Sequence, residues 1–218
     1  IVTGDETGRL LTRQFAVPPA KITVARPGAD RQVFAQCMGK PPVLLTVASL
    51  TPRKAHDVLL RALAKLTHLH WQARFVGGMD FLPEWTRALQ RQVVELGLQH
   101  RVVFTGSFDD ISAEFLNADI FVLPSLYEGY GMAAAEALSY GLPVVAARAG
   151  AVPDVIPATA GILVAPGDDA ELAQALNSLL SNPDLRSSLQ QGAREAARLL
   201  PTWQDTVHCV ANLIRSLP

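Results

Sequence analysis

The sequence has 218 residues, of which 49% are hydrophobic and 18% charged, and its formal net charge is −1. This balance gives no electrostatic footprint for nucleic acid or an anionic membrane, and no apolar run approaches the roughly 20 residues of a membrane-spanning helix. Two widely separated cysteines, Cys37 and Cys209, and five histidines without metal-ligand spacing predict reduced thiols, no bound metal and a cytoplasmic protein.

The predicted elements begin with a separate N-terminal part. Residues 1–3 read as the end of a strand, 5–15 as a helix and 22–25 as a strand that leads into "RPGAD". The chain opens without an initiator Met or a signal pattern, so we expect a piece of a longer polypeptide.

From residue 43 onwards, short apolar runs alternate with helical patterns. Strands are predicted at 43–48, 73–78, 101–106, 119–125, 143–147 and 161–166, and helices at 54–66, 85–96, 109–118, 131–140 and, as two or three helices, from 168 to about 214. The strands are continuously apolar rather than alternating, which is typical of a parallel sheet covered on both faces. The pattern predicts an α/β fold with a doubly wound, Rossmann-like parallel sheet.

Ligands of such sheets bind beyond the carboxyl ends of the strands. After the strand at 43–48, "SLTPRKAHD" places Arg53 and Lys54 at the start of a helix, where cations suit a phosphate site and otherwise form a solvated basic turn. After the next strand, Gly77 and Gly78 permit close backbone approach or simply mark a turn.

The most apolar stretch, "LPSLYEGYGMAAAEALSYGLP" at 123–143, contains two charged residues, Glu128 and Glu136. Carboxylates are rarely buried unless they are paired or hydrogen-bonded. Gly129 and Gly131 flank Tyr130 where strand gives way to helix, so Glu128 falls in the turn and Glu136 in the helix. Both are expected near one cleft, although an exposed helical position would also explain Glu136.

These residues resemble the E-x7-E motif of retaining GT-B glycosyltransferases, the "group 1" family 4. Further segments fit the same family: "VASLTPRKAHDVLLRALA" its phosphate turn, "VVFTGSF" its base-binding strand end, "AGAVPDVI" the turn after the next strand and "ITVARPGADRQVF" its inter-domain hinge. The resemblance covers practically the whole chain and implies the C-terminal, donor-binding half of a GT-B enzyme.

The resemblance also implies residue roles. Lys54, with Arg53 beside it, would hold the diphosphate of the donor, Glu136 would accept hydrogen bonds from the ribose, and Glu128 would be the catalytic carboxylate that contacts the donor sugar. The backbone contacts implied or expected are those of Gly78 at its strand end, Val103 and Phe104 near the base, and Gly129, Tyr130, Gly131 and Met132 at sugar and phosphate.

The implied reaction transfers a sugar from a UDP- or GDP-sugar to an unidentified acceptor, with retention at the anomeric carbon and without a metal or other cofactor. Residues 1–25 would be a remnant of the N-terminal acceptor domain and hinge, 26–200 the donor domain and 201–218 a C-terminal helix. The fragment alone is expected to be inactive, and the missing domain is a possible route to peripheral membrane attachment.

Two substitutions depart from the family pattern. Ala48-Ser49 stands where the family usually has Gly-Arg, so one phosphate-binding arginine is absent, and Ala55 replaces the usual Gly after the lysine. Arg53 is a candidate to compensate.

Other functions fit parts of the sequence. "GYGMAA" at 129–134 is a formal G-x-G-x-x-A, and Arg148 ends the next strand where a 2′-phosphate would lie, which is the pattern of an NADP-dependent oxidoreductase. A nucleotide-sugar epimerase or a glycogen synthase relative would share the fold. A non-catalytic nucleotide-binding module would explain the substitution at Ser49.

Overall fold

The structure is a computed structural model that describes residues 1–216. Its centre is a six-stranded, entirely parallel sheet with the strand order β3-β2-β1-β4-β5-β6. The strands are β1 Val43–Val47, β2 Gln72–Val76, β3 Val102–Gly106, β4 Ile120–Leu123, β5 Val144–Ala147 and β6 Gly161–Val164.

Helices connect the strands and cover both faces of the sheet. They are α1 Asp5–Phe15, α2 His56–Ala64, α3 Pro83–Glu95, α4 Ser112–Leu116, α5 Met132–Ser139, α6 Val152–Val155, α7 Asp169–Ser181, α8 Pro183–Leu199 and α9 Trp203–Ser216. No helix within residues 1–216 combines the length and hydropathy needed to cross a bilayer.

The predicted doubly wound parallel α/β fold is confirmed, with differences at the edges of the elements. The expected strand at 22–25 is reduced to an isolated bridge between Val2 and Val24, because these two segments pair only with each other among the described residues. The short helix α6 was not predicted, since four residues carry no helical periodicity.

Side chains alternate between two cores on either side of the sheet. In β4, Ile120 and Val122 belong to the core under α2, α3 and α7, whereas Phe121 and Leu123 belong to the core under α5 and α8. Fully burying each of these side chains is worth about 1.5–3 kcal/mol, which explains why strands of this type are apolar on both faces.

The strand order reverses between β1 and β4. The connections from these neighbouring strands leave in opposite directions, so a crevice forms beyond their carboxyl ends. At the other end of the pair, buried Asp119 accepts hydrogen bonds from the backbone N–H groups of Gly39 and Val43 at 2.8 and 2.7 Å. This carboxylate fixes the start of β1 beside β4.

We expect His56 to make the fold sensitive to acid. His56 is fully buried, neither ring nitrogen has a hydrogen-bond partner among residues 1–216, and burial lowers its pKa from 6.5 to about 4. Between these values the unfolded chain binds a proton that the folded chain excludes. The stabilisation that comes from keeping His56 neutral is therefore complete above pH 6.5. It is lost as the pH falls towards 4, which lowers the free energy of unfolding by roughly 3 kcal/mol in total.

Urea unfolding near neutral pH and at about pH 4.5 measures this loss. His56→Leu should reduce the acid loss by roughly 2 kcal/mol relative to the native sequence. His68→Leu, a change at an exposed histidine, is the matched control and should leave the loss unchanged. An acid loss of equal size in His56→Leu and the native chain would contradict the assignment.

Candidate functional site at the carboxyl edge of the sheet

A buried ion pair spans the crevice between β1 and β4. Lys54, in the loop after β1, donates from Nζ to Oε1 of Glu128, in the loop after β4, over 2.5 Å. The exposed fractions of the two side chains are 16% and 9%. Arg53 Nη1 lies 3.8 Å from the other carboxylate oxygen, so Glu128 faces two cations.

The backbone ties the same two loops together. Pro52–Lys54 form a short 3-10 helix immediately before α2, which puts both cations at the predicted place. The Arg53 carbonyl accepts from Leu126 N–H at 2.8 Å, and Arg53 Nη1 donates to the Tyr127 carbonyl at 2.7 Å. The positions of the charged groups therefore follow from paired loops rather than from the ion pair alone.

Ala55 follows Lys54 in the left-handed backbone conformation, with φ 51° and ψ 40°. This conformation favours glycine, so the alanine carries strain of roughly 1 kcal/mol where the resembled family has Gly. The backbone therefore keeps its left-handed conformation although Ala55 stands in place of the family's Gly, and Lys54 still contacts Glu128.

The Glu128 turn also rests on the turn after β5. Gly150 has φ 57°, and a Cβ there would lie 2.0 Å from the Glu128 carbonyl oxygen. That oxygen accepts from Ala151 N–H at 3.0 Å. Only glycine fits such a close approach, and it lets the ends of β4 and β5 form one continuous surface.

The segment from Gly129 to Met132 opens α5 as predicted. Gly129 is exposed, and a Cβ there would meet nothing within 4 Å, while Gly131 precedes the helix with φ 97°. Tyr130 is buried at 6% exposure, and Met132 is exposed. Free space therefore lies on the Cβ side of Gly129, the residue that follows Glu128.

Glu136 lines a cavity of about 250 Å³ beside α5. Its lining residues are Gly28, Ala29, Asp30, Gln32, Met132, Ala135, Glu136, Ser139 and Trp203. Burial, and secondarily the nearby Asp30 carboxylate, raise the pKa of Glu136. Glu128 is not among these lining residues; its carboxylate contacts Lys54 in the loop after β1.

The expected base-binding residues lie within β3 and not at its end. Val103 pairs in register with Arg74, and Phe104 packs edge-on against Phe75 with ring centroids 5.3 Å apart. The carboxyl end of the strand is Gly106, about 10 Å further on than Val103. Gly78 is at the edge: a Cβ there would lie 3.6 Å from Ser107 Oγ.

Sequence reasoning missed three residues of this region. Ser125, two positions after β4, is buried and its Oγ has no partner among residues 1–216, which is uncommon for a buried hydroxyl. Asp30 and Tyr127 were also overlooked, because their relevance depends on folding and not on a motif. Within residues 1–216 no group of three or more His, Cys, Asp or Glu side chains is placed to hold a metal ion.

Comparison with known proteins places this arrangement in a family. The family model described as glycosyl transferases group 1 matches residues 32–196. D-inositol 3-phosphate glycosyltransferases of Saccharomonospora viridis and Catenulispora acidiphila are 30% and 33% identical, over 99% and 98% of this chain and 54% and 55% of their own sequences. The chain spans about half the length of the curated relatives it matches.

Solved structures show the same fold. The sucrose-phosphate synthase of Thermosynechococcus elongatus is 28% identical with a TM-score of 0.87, over 98% of this chain and 57% of its own. The Anabaena HepE protein in complex with UDP-glucose is 23% identical with a TM-score of 0.90, over 99% and 63%. The C-terminal domain of the group 1 protein LpcC from Francisella tularensis is 26% identical with a TM-score of 0.68, over 79% and 97%.

The fold and the crevice define a Rossmann-like domain of the type that forms the C-terminal half of GT-B glycosyltransferases. The chain belongs to the family of group 1 glycosyl transferases.

We expect the Lys54–Glu128 pair to be strongly coupled in the unliganded protein. Removing one partner leaves the other charge buried, so Glu128→Gln and Lys54→Met should each lower the free energy of unfolding by roughly 3 kcal/mol. The double variant should cost less than the sum, with a coupling of roughly 2 kcal/mol in urea unfolding. Glu84→Gln, in the exposed pair with Arg87, is the control and should cost at most about 0.5 kcal/mol. Strictly additive effects at Lys54 and Glu128 would refute the coupling.

Proposed function

We propose that this chain is the donor-binding part of a retaining glycosyltransferase that uses a nucleotide diphosphate sugar. The single observation that carries the proposal is the Lys54–Glu128 pair at the topological switch point, with Arg53 beside it. Cations suited to a diphosphate and a carboxylate suited to sugar hydroxyls meet there in one crevice. The family assignment supplies the reaction class.

When a donor binds, Lys54 and Glu128 must separate and each must take a new partner. The diphosphate would take Lys54 and Arg53 as its counter-ions, because two negative phosphates compete for the cations at the same position. Glu128 would then be free to accept hydrogen bonds from the hydroxyls of the donor sugar above Gly129. During transfer the negative charge on the leaving diphosphate grows, and fixed cations stabilise it most at that point. These side chains would supply that stabilisation without a divalent metal or other cofactor.

The nucleoside would extend along the edge of the sheet towards β2 and β3. Glu136 would accept from the ribose hydroxyls, since it is a half-buried carboxylate about one turn after the start of α5. Base contacts are assigned to Gly78 and the backbone of residues 106–108. Val103 and Phe104, the base contacts predicted from the sequence, lie three and two residues before the end of β3.

The same proposal includes retention of configuration at the anomeric carbon, and it takes this chain to be only one part of the active enzyme. The division of the chain into 1–25, 26–200 and 201–218 is retained: the first part would belong to an N-terminal acceptor domain that is also needed for turnover. The separate crystal structure of the LpcC C-terminal domain supports folding of a donor half by itself.

A cytoplasmic location is proposed because Cys37 and Cys209 are free thiols.

UDP is the first ligand to test, because HepE was crystallised with UDP-glucose. UDP and UDP-glucose should raise the melting temperature of the 218-residue chain. At a ligand concentration one hundred times Kd, the free energy of unfolding should increase by about 2.7 kcal/mol. The rise should persist in EDTA and disappear in Glu136→Ala. Glu95→Gln, an exposed helical carboxylate, should retain it. GDP and GDP-glucose form a second arm that assigns the base.

Stabilisation by NADPH instead of nucleotide sugars would favour the oxidoreductase. The loop after β4 argues against the oxidoreductase. β4 ends at Leu123, and the first glycine of "GYGMAA", Gly129, follows too far along the chain for a tight dinucleotide-binding turn. Donor binding without transfer by the complete polypeptide would favour a non-catalytic module.

The raised pKa of Glu136 predicts a pH dependence of donor binding. The ionised form is the better acceptor for ribose hydroxyls, so affinity should be complete above the raised pKa and should fall as the pH drops through it. Asp30→Asn removes the neighbouring negative charge and should move the midpoint of this fall to lower pH. Calorimetric titration with UDP across the acid range measures both. An unchanged midpoint in Asp30→Asn would contradict the coupling.

A further inference from the structure

A cavity of about 430 Å³ between α1 and the ends of β4 and β5 contains an unbalanced cation. Of its charged residues, Arg9 pairs with Glu6 at 2.7 Å and with Asp154 at 3.3 Å. Arg148 is exposed and has no carboxylate within 4.0 Å among residues 1–216. Its guanidinium makes one long hydrogen bond, to the Leu163 carbonyl at 3.4 Å. Glu6 also pairs at 2.5 Å with Arg13, which lies outside the lining. Arg9 and Arg13 together balance the two carboxylates, and Arg148 is left over.

This cavity lies next to Glu128 on the side away from Lys54. Arg148 follows β5, on one side of β4, whereas Lys54 lies in the loop after β1, on the opposite side of β4. Tyr127 and Gly150 also line the cavity. Tyr127 precedes Glu128, and Gly150 packs on the Glu128 carbonyl. A group bound here would be on the sugar and acceptor side of the diphosphate.

The chemistry of the lining selects an anion. A guanidinium presents a planar fork of donors that matches a carboxylate or a phosphate in two parallel hydrogen bonds. Tyr127, which is 44% exposed, lines the same cavity and carries a phenol that can donate a further hydrogen bond. The volume is in the range of small-molecule sites and accommodates one monosaccharide. Nothing in the donor nucleotide needs this cation, because the diphosphate is assigned to Lys54 and Arg53.

We propose that Arg148, together with Tyr127, forms a subsite for a carboxylate or phosphate group carried by the transferred sugar or by the acceptor. The subsite determines specificity: it favours an anionic ligand over its neutral counterpart and takes no part in bond breaking. The proposal rests on the proposed function, since that function places the sugar end of the donor beside Glu128.

The test follows backbone amide shifts of the ¹⁵N-labelled 218-residue chain during titration. The first arm compares UDP-glucuronate with UDP-glucose, and the second adds glucose 6-phosphate or glucose to the UDP-saturated chain. In one arm the anionic ligand should bind about tenfold more tightly, the size expected for a charge-assisted hydrogen bond. The arm that shows the preference identifies whether the transferred sugar or the acceptor carries the anion.

Variants assign the preference to the side chain. Arg148→Gln should abolish it, and Arg148→Lys should retain part of it, because the charge remains and the fork is lost. Arg91→Gln, an exposed arginine of α3 without an ion pair among the described residues, should behave like the native chain. Equal affinity for charged and neutral ligands in both arms, or a preference that survives in Arg148→Gln, overturns the subsite.

Failure of the proposed function gives a different result. If UDP itself causes no shifts, the donor assignment fails, and glucose 6-phosphate is then titrated into the unliganded chain. Shifts at Tyr127 and Gly150 that depend on Arg148 would support the anion subsite independently, and their absence would overturn it as well.

Discussion

The buried contact between Lys54 and Glu128 is the constraint on which the candidate site depends. A charge in a poorly solvated crevice needs a partner, and each of these two side chains is the partner that the other requires. The pair therefore adds to the hydrogen bonds between Arg53 and residues 126 and 127 that hold the loops after β1 and β4 together before any ligand arrives. It also sets the requirement for a ligand: only a group that supplies a replacement charge to Lys54 separates the pair without a large penalty. A diphosphate does so, and its arrival is what would release Glu128 for the sugar. Binding of the leaving group and exposure of the sugar-binding carboxylate would thus be one event.

Arg53 supplies a positive charge to the crevice, where the arginine that the family usually has at position 49 is absent. Ser49 is exposed and leaves the expected position without a cation, whereas Arg53 reaches from the same loop to within 3.8 Å of Glu128 and hydrogen-bonds to Tyr127. A guanidinium anchored to the neighbouring backbone loses little conformational entropy when it contacts phosphate. The positive charge at the crevice is consequently preserved although the motif is not.

The sequence predicted the architecture because parallel strands buried on both faces have a distinctive apolar pattern, and it predicted Lys54 and Glu128 because they flank strand ends. It did not show that Val103 and Phe104 lie inside β3, since a one-dimensional pattern marks a strand but not the residue at which it ends. It also missed Asp30, whose influence on Glu136 arises from a loop about a hundred residues away that folds against α5. Ser125 was invisible for a similar reason: an unsatisfied hydroxyl is a property of packing, not of residue type.

The order of loops along the sheet edge gives the site a direction. The ends of β3 and β2 would receive the base, β1 and β4 the diphosphate, and β5 whatever lies beyond the sugar. At that last position the neighbour is α1: Thr3 and Thr7 hydroxyls donate to the Gly129 carbonyl, and Arg9 reaches Asp154. On the proposed division of the chain, these residues belong to the acceptor side. A movement of the acceptor side relative to the donor side would therefore alter the contacts at Gly129 directly, so that closure of the cleft and alignment of the sugar over Glu128 would be coupled through the same few hydrogen bonds.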